Sequence, residues 1–260
     1  MGKALDHKKR VLARQQAEAR GETQTETMEG ASAYDQHLMQ LTAHLRQLKA
    51  LKSTRAKVNL KGQIISDYDA YIDGVLDSGA GVQDDVFMTA FVWLVDLGQF
   101  KRAIALAIYA LEHDLKMPER FNRDVASFLV DEISESMLAT ADIDIDILSK
   151  VETLTAEADI HDQVRAKLHK IFGKFHALSE DVDKAIASYS TALEFDDKCG
   201  VKTVLKGLEK RRDLAAEDAK KAKAAEAAAK KAPAKKATPK KAAAKKAPAK
   251  KAETKPAEAG

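Results

Sequence analysis

The sequence predicts an all-α fold: a helical bundle of antiparallel hairpins, tetratricopeptide-like in part, with a disordered Lys/Ala/Pro-rich C-terminal tail. Apolar residues recur every three or four positions in successive segments between residues 33 and 208, which is the period of an amphipathic helix. Residues 81–111 hold the longest apolar run and indicate two helices joined by a turn at Gly98. Residues 216–260 contain no apolar side chain larger than alanine except proline, so they cannot build a core.

The charges divide the chain into unlike parts. From Ala219 to Gly260 there are fourteen lysines and three glutamates, a net charge of +11. Because the whole chain carries +3, residues 1–218 carry 3 − 11 = −8. We therefore expect a flexible basic N-terminal arm at 1–30, an all-helical core domain at 31–215 and a lysine-rich disordered tail at 216–260.

The N-terminal arm is basic at its start and has too few apolar residues for a core of its own. Lys8, Lys9 and Arg10 are its candidate contacts to nucleic-acid phosphates. The alternative is that this charged segment is simply solvated.

The first long helix carries an apolar seam with the spacing 4, 3, 4, 3. Its members are Tyr34, Leu38, Leu41, Leu45 and Leu48. Such heptad spacing is typical of helices that pack in coiled coils. Two interpretations stay open: an oligomerisation helix, or an amphipathic helix that lies on its own domain. A second amphipathic helix follows and ends at 78–81.

The stretch from Val86 to Val95 is apolar on nearly all sides and includes the only tryptophan, Trp93. A helix of this kind is usually buried, so we assign it to the centre of the domain and give it no catalytic role. Asp84 and Asp85 precede it. Adjacent residues point in different directions on a helix, so these carboxylates indicate helix capping rather than a metal site.

Residues 124–162 hold eleven acidic residues and a single base, Lys150. Alternating aspartates at 142–146 resemble a calcium loop only briefly, because Ile147 and Thr153 occupy the positions of its required glycine and glutamate. We interpret them as a helix start.

The next segment predicts a helical hairpin. Ala185, Tyr189 and Ala192 match the frame of a tetratricopeptide second helix, and Gly173 falls at the close-packing position of the first. The proline that ends this motif is replaced by Asp197. We therefore favour ordinary helical hairpins within one domain over a true repeat array.

The tail repeats lysine pairs separated by alanine and proline. The pairs are Lys230-Lys231, Lys235-Lys236, Lys240-Lys241, Lys245-Lys246 and Lys250-Lys251. Lysine is a compact charge without a base-reading fork, so these residues predict nonspecific contacts to DNA phosphates. A tail that only keeps the protein soluble is the alternative.

Signatures of enzymes and cofactors are missing from the sequence. It has no G-x-x-x-x-G-K-[ST] loop, no H-E-x-x-H and no pair of cysteines. We expect no catalytic residue, no metal site and no cofactor. The sequence contains no apolar run of about 18 residues, so it predicts no membrane span. The lone cysteine, Cys199, and the lack of an apolar signal segment favour a cytosolic protein.

Four segments together resemble the small terminase subunit family of temperate contractile-tailed phages. They are GVQDDVFMTAFVWLVDLGQF (81–100), ALAIYALEHDLKMP (105–118), DQVRAKLHKIFG (162–173) and GVKTVLKGLEK (200–210), in the family's order and spacing. The resemblance covers roughly residues 3–215, and a lysine-rich C-terminus is also typical. The N-terminus departs from the family's pattern.

The resemblance implies a subunit that binds double-stranded phage DNA at the cohesive-end packaging site. It would present that DNA to the large terminase subunit for cleavage and ATP-driven packaging. Homo-oligomers and the cytoplasm of the bacterial host are implied with it. Members of this group are sometimes called the terminase endonuclease subunit, so a metal-dependent endonuclease is the first alternative. A helical scaffold that does not bind DNA is the second.

Overall fold

The computed structural model describes residues 7–12, 14–15, 33–140 and 142–231, with side chains described as far as residue 225. Residues 7–12 and 14–15 are helical. The α-helices that follow are α1 Ala33–Ala50, α2 Thr54–Ile64, α3 Asp69–Ser78, α4 Asp85–Asp96, α5 Phe100–Glu112, α6 Val125–Thr140, α7 Ile145–Leu154, α8 Asp162–Leu178, α9 Val182–Phe195 and α10 Lys202–Lys231. A 3₁₀ helix, Ile65–Tyr68, joins α2 to α3. The described ranges contain no β-strand, which confirms the all-α prediction.

The chain divides into two compact units, Met1–Leu214 and Ala215–Gly260. In the second unit residues 215–231 are helical, so the segment predicted as tail starts as helix. Alanine and lysine favour this conformation. The rest of the predicted tail, 232–260, and most of the predicted arm lie outside the described residues.

Local side-chain chemistry fixes where several helices begin. Asp84 Oδ1 accepts a hydrogen bond of 2.9 Å from the backbone N–H of Phe87 at the start of α4. Asp144 Oδ1 accepts from the N–H groups of Asp146 and Ile147 at the start of α7. Both carboxylates satisfy N–H groups that have no partner within the helix, so the capping interpretations are confirmed.

Helix α4 is the centre of the first unit. All ten residues from Val86 to Val95 are buried, and the helix packs against α1, α3, α5, α6 and the 3₁₀ helix. Trp93 meets Tyr68 edge to face with ring centroids 5.7 Å apart. Gly98 then has φ +69°, a conformation that favours glycine, and turns the chain into α5. The prediction of a buried central hairpin is confirmed.

Helices α8 and α9 form the most extensively packed antiparallel hairpin. A Cβ atom added at Gly173 would lie only 2.6 Å from the ring of Tyr189. The absence of a side chain therefore lets the two helices approach, as the tetratricopeptide-like pattern predicts.

The apolar seam of α1 faces the chain's own core. Leu41 and Leu48 are buried, and Tyr34, Leu38 and Leu45 are partly buried against the same core. The seam therefore has an intramolecular role, in line with the second of the two interpretations. Oligomerisation through these residues stays a prediction.

Candidate nucleic-acid interface

The predicted arm residues lie on the exposed helical turn at 7–12. Arg10 is held by a carboxylate of α3, because its Nε and Nη2 both lie 2.6 Å from Asp77 Oδ2. Lys8 and Lys9 are exposed and have no ion pair with any other described residue. Arg10 thus ties this turn to the core, while the two lysines present their charge to solvent.

The predicted tail residues lie at and beyond the end of α10. Lys230 and Lys231 belong to its last turn, but their side chains are outside the described part of the chain. Lys235, Lys236, Lys240, Lys241, Lys245, Lys246, Lys250 and Lys251 are outside it altogether. Their role in binding DNA stays a prediction.

A second basic region lies where α1 ends and α2 begins. We call it the α1–α2 basic surface: Arg46, Lys49, Lys52, Arg55 and Lys57. All but the half-buried Lys57 are exposed, and within the described residues none of the five has an ion pair. No aspartate or glutamate occurs from residue 36 to residue 66. This local excess of positive charge was the signal that the sequence analysis missed.

Three basic residues of α8, Arg165, Lys167 and Lys170, behave differently, because they bond to groups of the chain itself. Arg165 donates to the backbone oxygens of the α7–α8 connection, including Ala158 O at 2.9 Å. Lys170 Nζ donates to Cys199 O at 2.8 Å. Lys167 Nζ lies 2.6 Å from both Asp131 and Glu135. These groups hold helices together and are not available to a ligand.

The pKa of Lys167 reflects its ion pairs with Asp131 and Glu135. Burial lowers the pKa, but the hydrogen bonds to Asp131 and Glu135 outweigh burial and raise it above its ordinary value. Arg123 pairs with Asp131 at 2.6 Å and with Glu132 at 2.7 Å. Part of the acidic charge counted in 124–162 is therefore neutralised within the fold.

His169 of α8 packs against an aromatic residue of the neighbouring helix α9. Among the described residues, no group of three or more His, Cys, Asp and Glu side chains is placed to hold a metal ion. His169 instead stacks on Phe195, with centroids 5.5 Å apart and planes 1° from parallel. Burial lowers its pKa, although Glu152 at 3.9 Å opposes that shift.

The described ranges contain no helix with the length and apolar character needed to cross a membrane.

Sequence comparison relates this chain to known proteins. The model of the phage small terminase subunit family matches residues 38–163. The terminase endonuclease subunit of Escherichia phage P2 is 35% identical over 199 residues, which cover 75% of this chain and 80% of that protein. The chain belongs to the phage small terminase subunit family.

A second relative of this small terminase chain is more distant. The probable terminase endonuclease subunit of Haemophilus phage HP1 is 26% identical over 172 residues, or 59% of this chain and 61% of the relative. No solved structure matches the chain. The α1–α2 basic surface lies within the segment matched by the family model, whereas the predicted arm and tail residues lie outside it.

Proposed function

We propose that this small terminase subunit binds phage DNA at the cohesive-end packaging site and presents it to the large terminase subunit. The observation that carries the proposal is the charge partition: a body of net charge −8 followed by a segment of net charge +11. In a family of phage packaging proteins, a partner with a dense row of phosphates is the natural counterpart of that segment.

The lysine-rich tail captures DNA without reading its sequence. If extended, the 29 residues that follow the last helix, 232–260, span on the order of 100 Å. Each lysine that neutralises a phosphate releases condensed counterions, so salt weakens the contact. Such a tail raises the rate of encounter and leaves recognition of the site to the folded body.

The folded body supplies assembly and docking. We expect a homo-oligomer in the cytoplasm of the bacterial host, with the large subunit providing ATP hydrolysis and cleavage. Helix α1 is the first candidate for self-association through Tyr34, Leu38, Leu41, Leu45 and Leu48. Because this seam contacts the chain's own core, its use between subunits requires α1 to exchange partners.

The direct test is binding of the purified whole chain to duplexes that carry the cohesive-end region of its parent phage. We expect the chain to bind this DNA. We also expect the large subunit to co-purify with both in a complex of small subunit, DNA and large subunit. Absence of any DNA binding at about 50 mM salt, where phosphate contacts are strongest, would contradict the proposal.

A metal-dependent endonuclease is the alternative, and it is favoured by the name of both relatives, terminase endonuclease subunit. We expect the isolated chain to bind supercoiled cohesive-end DNA with Mg²⁺ without nicking it, and nicking to begin when the large subunit is added. Nicking by the isolated chain that disappears on replacement of specific carboxylates would establish the alternative instead.

A further inference from the structure

We propose that α2 reads double-stranded DNA from within the major groove, with Arg55, Asn59 and Gln63 facing base edges. The cations Arg46, Lys49 and Lys52, which precede α2 in the chain, contact phosphates at the border of the groove. This inference rests on the proposed DNA-binding function and adds the part of the body that recognises sequence.

The charge of this region sets it apart from the rest of the body. Residues 36–66 contain six lysines and arginines and no acidic residue, within a body whose net charge is −8. Arg46, Lys49, Lys52 and Arg55 are exposed and lack ion pairs among the described residues. Side chains left without internal partners keep their full charge for an external anion.

The connection between the helices keeps these charges close together. Lys49 belongs to the last turn of α1, and only 51–53 separate α1 from α2. Lys49, Lys52 and Arg55 follow one another at intervals of three residues, so neighbouring Cα atoms are at most about 10 Å apart. The first turn of α2 contains no acidic residue that would oppose them.

The exposed side of α2 carries the side chains best suited to base edges. Arg55, Asn59 and Gln63 are all exposed and follow a spacing of four residues, which places them along one side of the helix. From Arg55 to Gln63 the helix rises about 12 Å, enough for three or four base pairs at 3.4 Å each. Arginine pairs with guanine, and asparagine and glutamine pair with adenine, through two hydrogen bonds each.

The opposite side of α2 is held firmly on the body. Ile64 is buried, Leu60 packs against the core, and Lys61 forms an ion pair with Asp96 of α4. Base recognition needs side chains that project from a rigid support. The side-chain amide groups of Asn59 and Gln63 have no hydrogen bond within the described structure. A ligand can therefore bind them without breaking an internal hydrogen bond.

Duplex DNA fits this surface better than an acidic protein does. An acidic partner would pair with the cations but would leave the amide groups of Asn59 and Gln63 without a specific function. The major groove is about 12 Å wide and admits an α-helix, while the phosphates that border it can meet the cations that precede α2.

The phosphate contacts are tested with Arg46→Gln, Lys49→Gln and Lys52→Gln combined in the whole chain. Binding of a mixed-sequence 30-bp duplex at 150 mM salt should weaken by roughly 10- to 100-fold, and the log–log salt slope should fall by about 2 to 3. The matched control is Lys101→Gln, Lys116→Gln and Lys150→Gln, which removes three exposed lysines without ion pairs elsewhere on the described surface. It should change affinity by less than about 3-fold.

Base recognition is tested by selection from a random-sequence 40-bp duplex library with the whole chain. The wild type should enrich a motif, and Asn59→Ala with Gln63→Ala should lose at least about 10-fold of its preference for that motif over unselected duplex. Affinity for unselected duplex should change by less than 3-fold. The control Asn122→Ala with Gln163→Ala removes an exposed asparagine and an exposed glutamine elsewhere.

The outcomes separate this inference from the proposed function. A wild type that binds no DNA contradicts both. A wild type that binds DNA but enriches no motif, or Asn59 and Gln63 variants that keep the full preference, overturns only the role of α2. If the triple cation variant binds DNA normally but forms a smaller homo-oligomer than the wild type, the surface is a protein–protein interface. The inference is then wrong.

Discussion

The hydroxyl group of Tyr68 lies in the interior and is hydrogen-bonded to a side chain of α1. It is 2.8 Å from Nδ1 of His44, and Tyr68 is only 1% exposed. Burial raises its pKa far above the ordinary value, and the neighbouring Asp67 raises it further, so the hydroxyl stays protonated and can donate to His44. The Trp93 ring meets the Tyr68 ring edge to face.

Replacing His44 by alanine should lower the free energy of unfolding by about 1–3 kcal/mol, because a buried hydroxyl loses its partner. The measurement is chemical denaturation of the wild type and the variant. The control is Tyr68→Phe in the His44→Ala background, which removes the orphaned hydroxyl and should recover part of the loss. Equal stabilities of wild type and His44→Ala would contradict the assigned bond.

At this scale the sequence predicts capping groups well but long-range pairs poorly. Asp84 and Asp144 are recognisable as caps because the groups that they satisfy lie two or three residues away. The bond between His44 and Tyr68 joins residues 24 positions apart. Only the path of the chain through the 3₁₀ helix brings them together, and no local pattern encodes that path.

The hairpin of α8 and α9 depends on one glycine. Gly173→Ala would place a Cβ atom 2.6 Å from the Tyr189 ring, so the helices must separate or the ring must move. We expect a loss of about 1–3 kcal/mol in the free energy of unfolding. In helix α10, Gly207→Ala is the matched control, because a Cβ atom there meets nothing within 4 Å. That variant should be unchanged or more stable by up to about 1 kcal/mol, since alanine favours helix.

The same hairpin should respond to acid through His169. Burial holds the pKa of this histidine below its ordinary 6.5, so the unfolded state takes up a proton first as the pH falls. Stability should therefore decrease as the pH falls from about 7 through the folded-state pKa, and His169→Gln should reduce that decrease. Urea denaturation between pH 5 and 7.5 measures it. His161→Gln removes an exposed histidine as the control, and identical pH profiles of wild type and His169→Gln would contradict the prediction.

Helices are predictable here because their apolar patterns are strong: α4 is a continuous apolar run, and the hairpin built on Gly173 follows the tetratricopeptide-like frame. Whether a helix face packs on the chain's own core or meets a partner is harder to predict. The α1 seam has the spacing of a coiled coil, but the chain's own core covers it. The α1–α2 basic surface was overlooked because its five charges are single residues dispersed over 46–57, whereas the tail concentrates its charge in pairs. Their lack of internal partners is visible only in the structure.

Across the whole molecule, net charge distinguishes the parts for which we propose different roles in DNA binding. The acidic residues of 124–162 are used partly in caps and ion pairs, as at Asp144 and Asp131. Repulsion between the remaining acidic charge and phosphates should direct DNA to the α1–α2 basic surface and the tail. Family membership defines the packaging context, while recognition by α2 and capture by the tail are separate proposals that can fail independently.

The central claim is that the lysine-rich segment captures DNA. The most direct measurement compares duplex binding by the whole chain with binding by residues 1–218 across a series of salt concentrations. If about eight lysines contact phosphates, removal of the segment should make the log–log salt slope shallower by about 7 and weaken binding at low salt. The same slope and affinity for both chains would contradict the claim and leave the tail without a role in DNA capture.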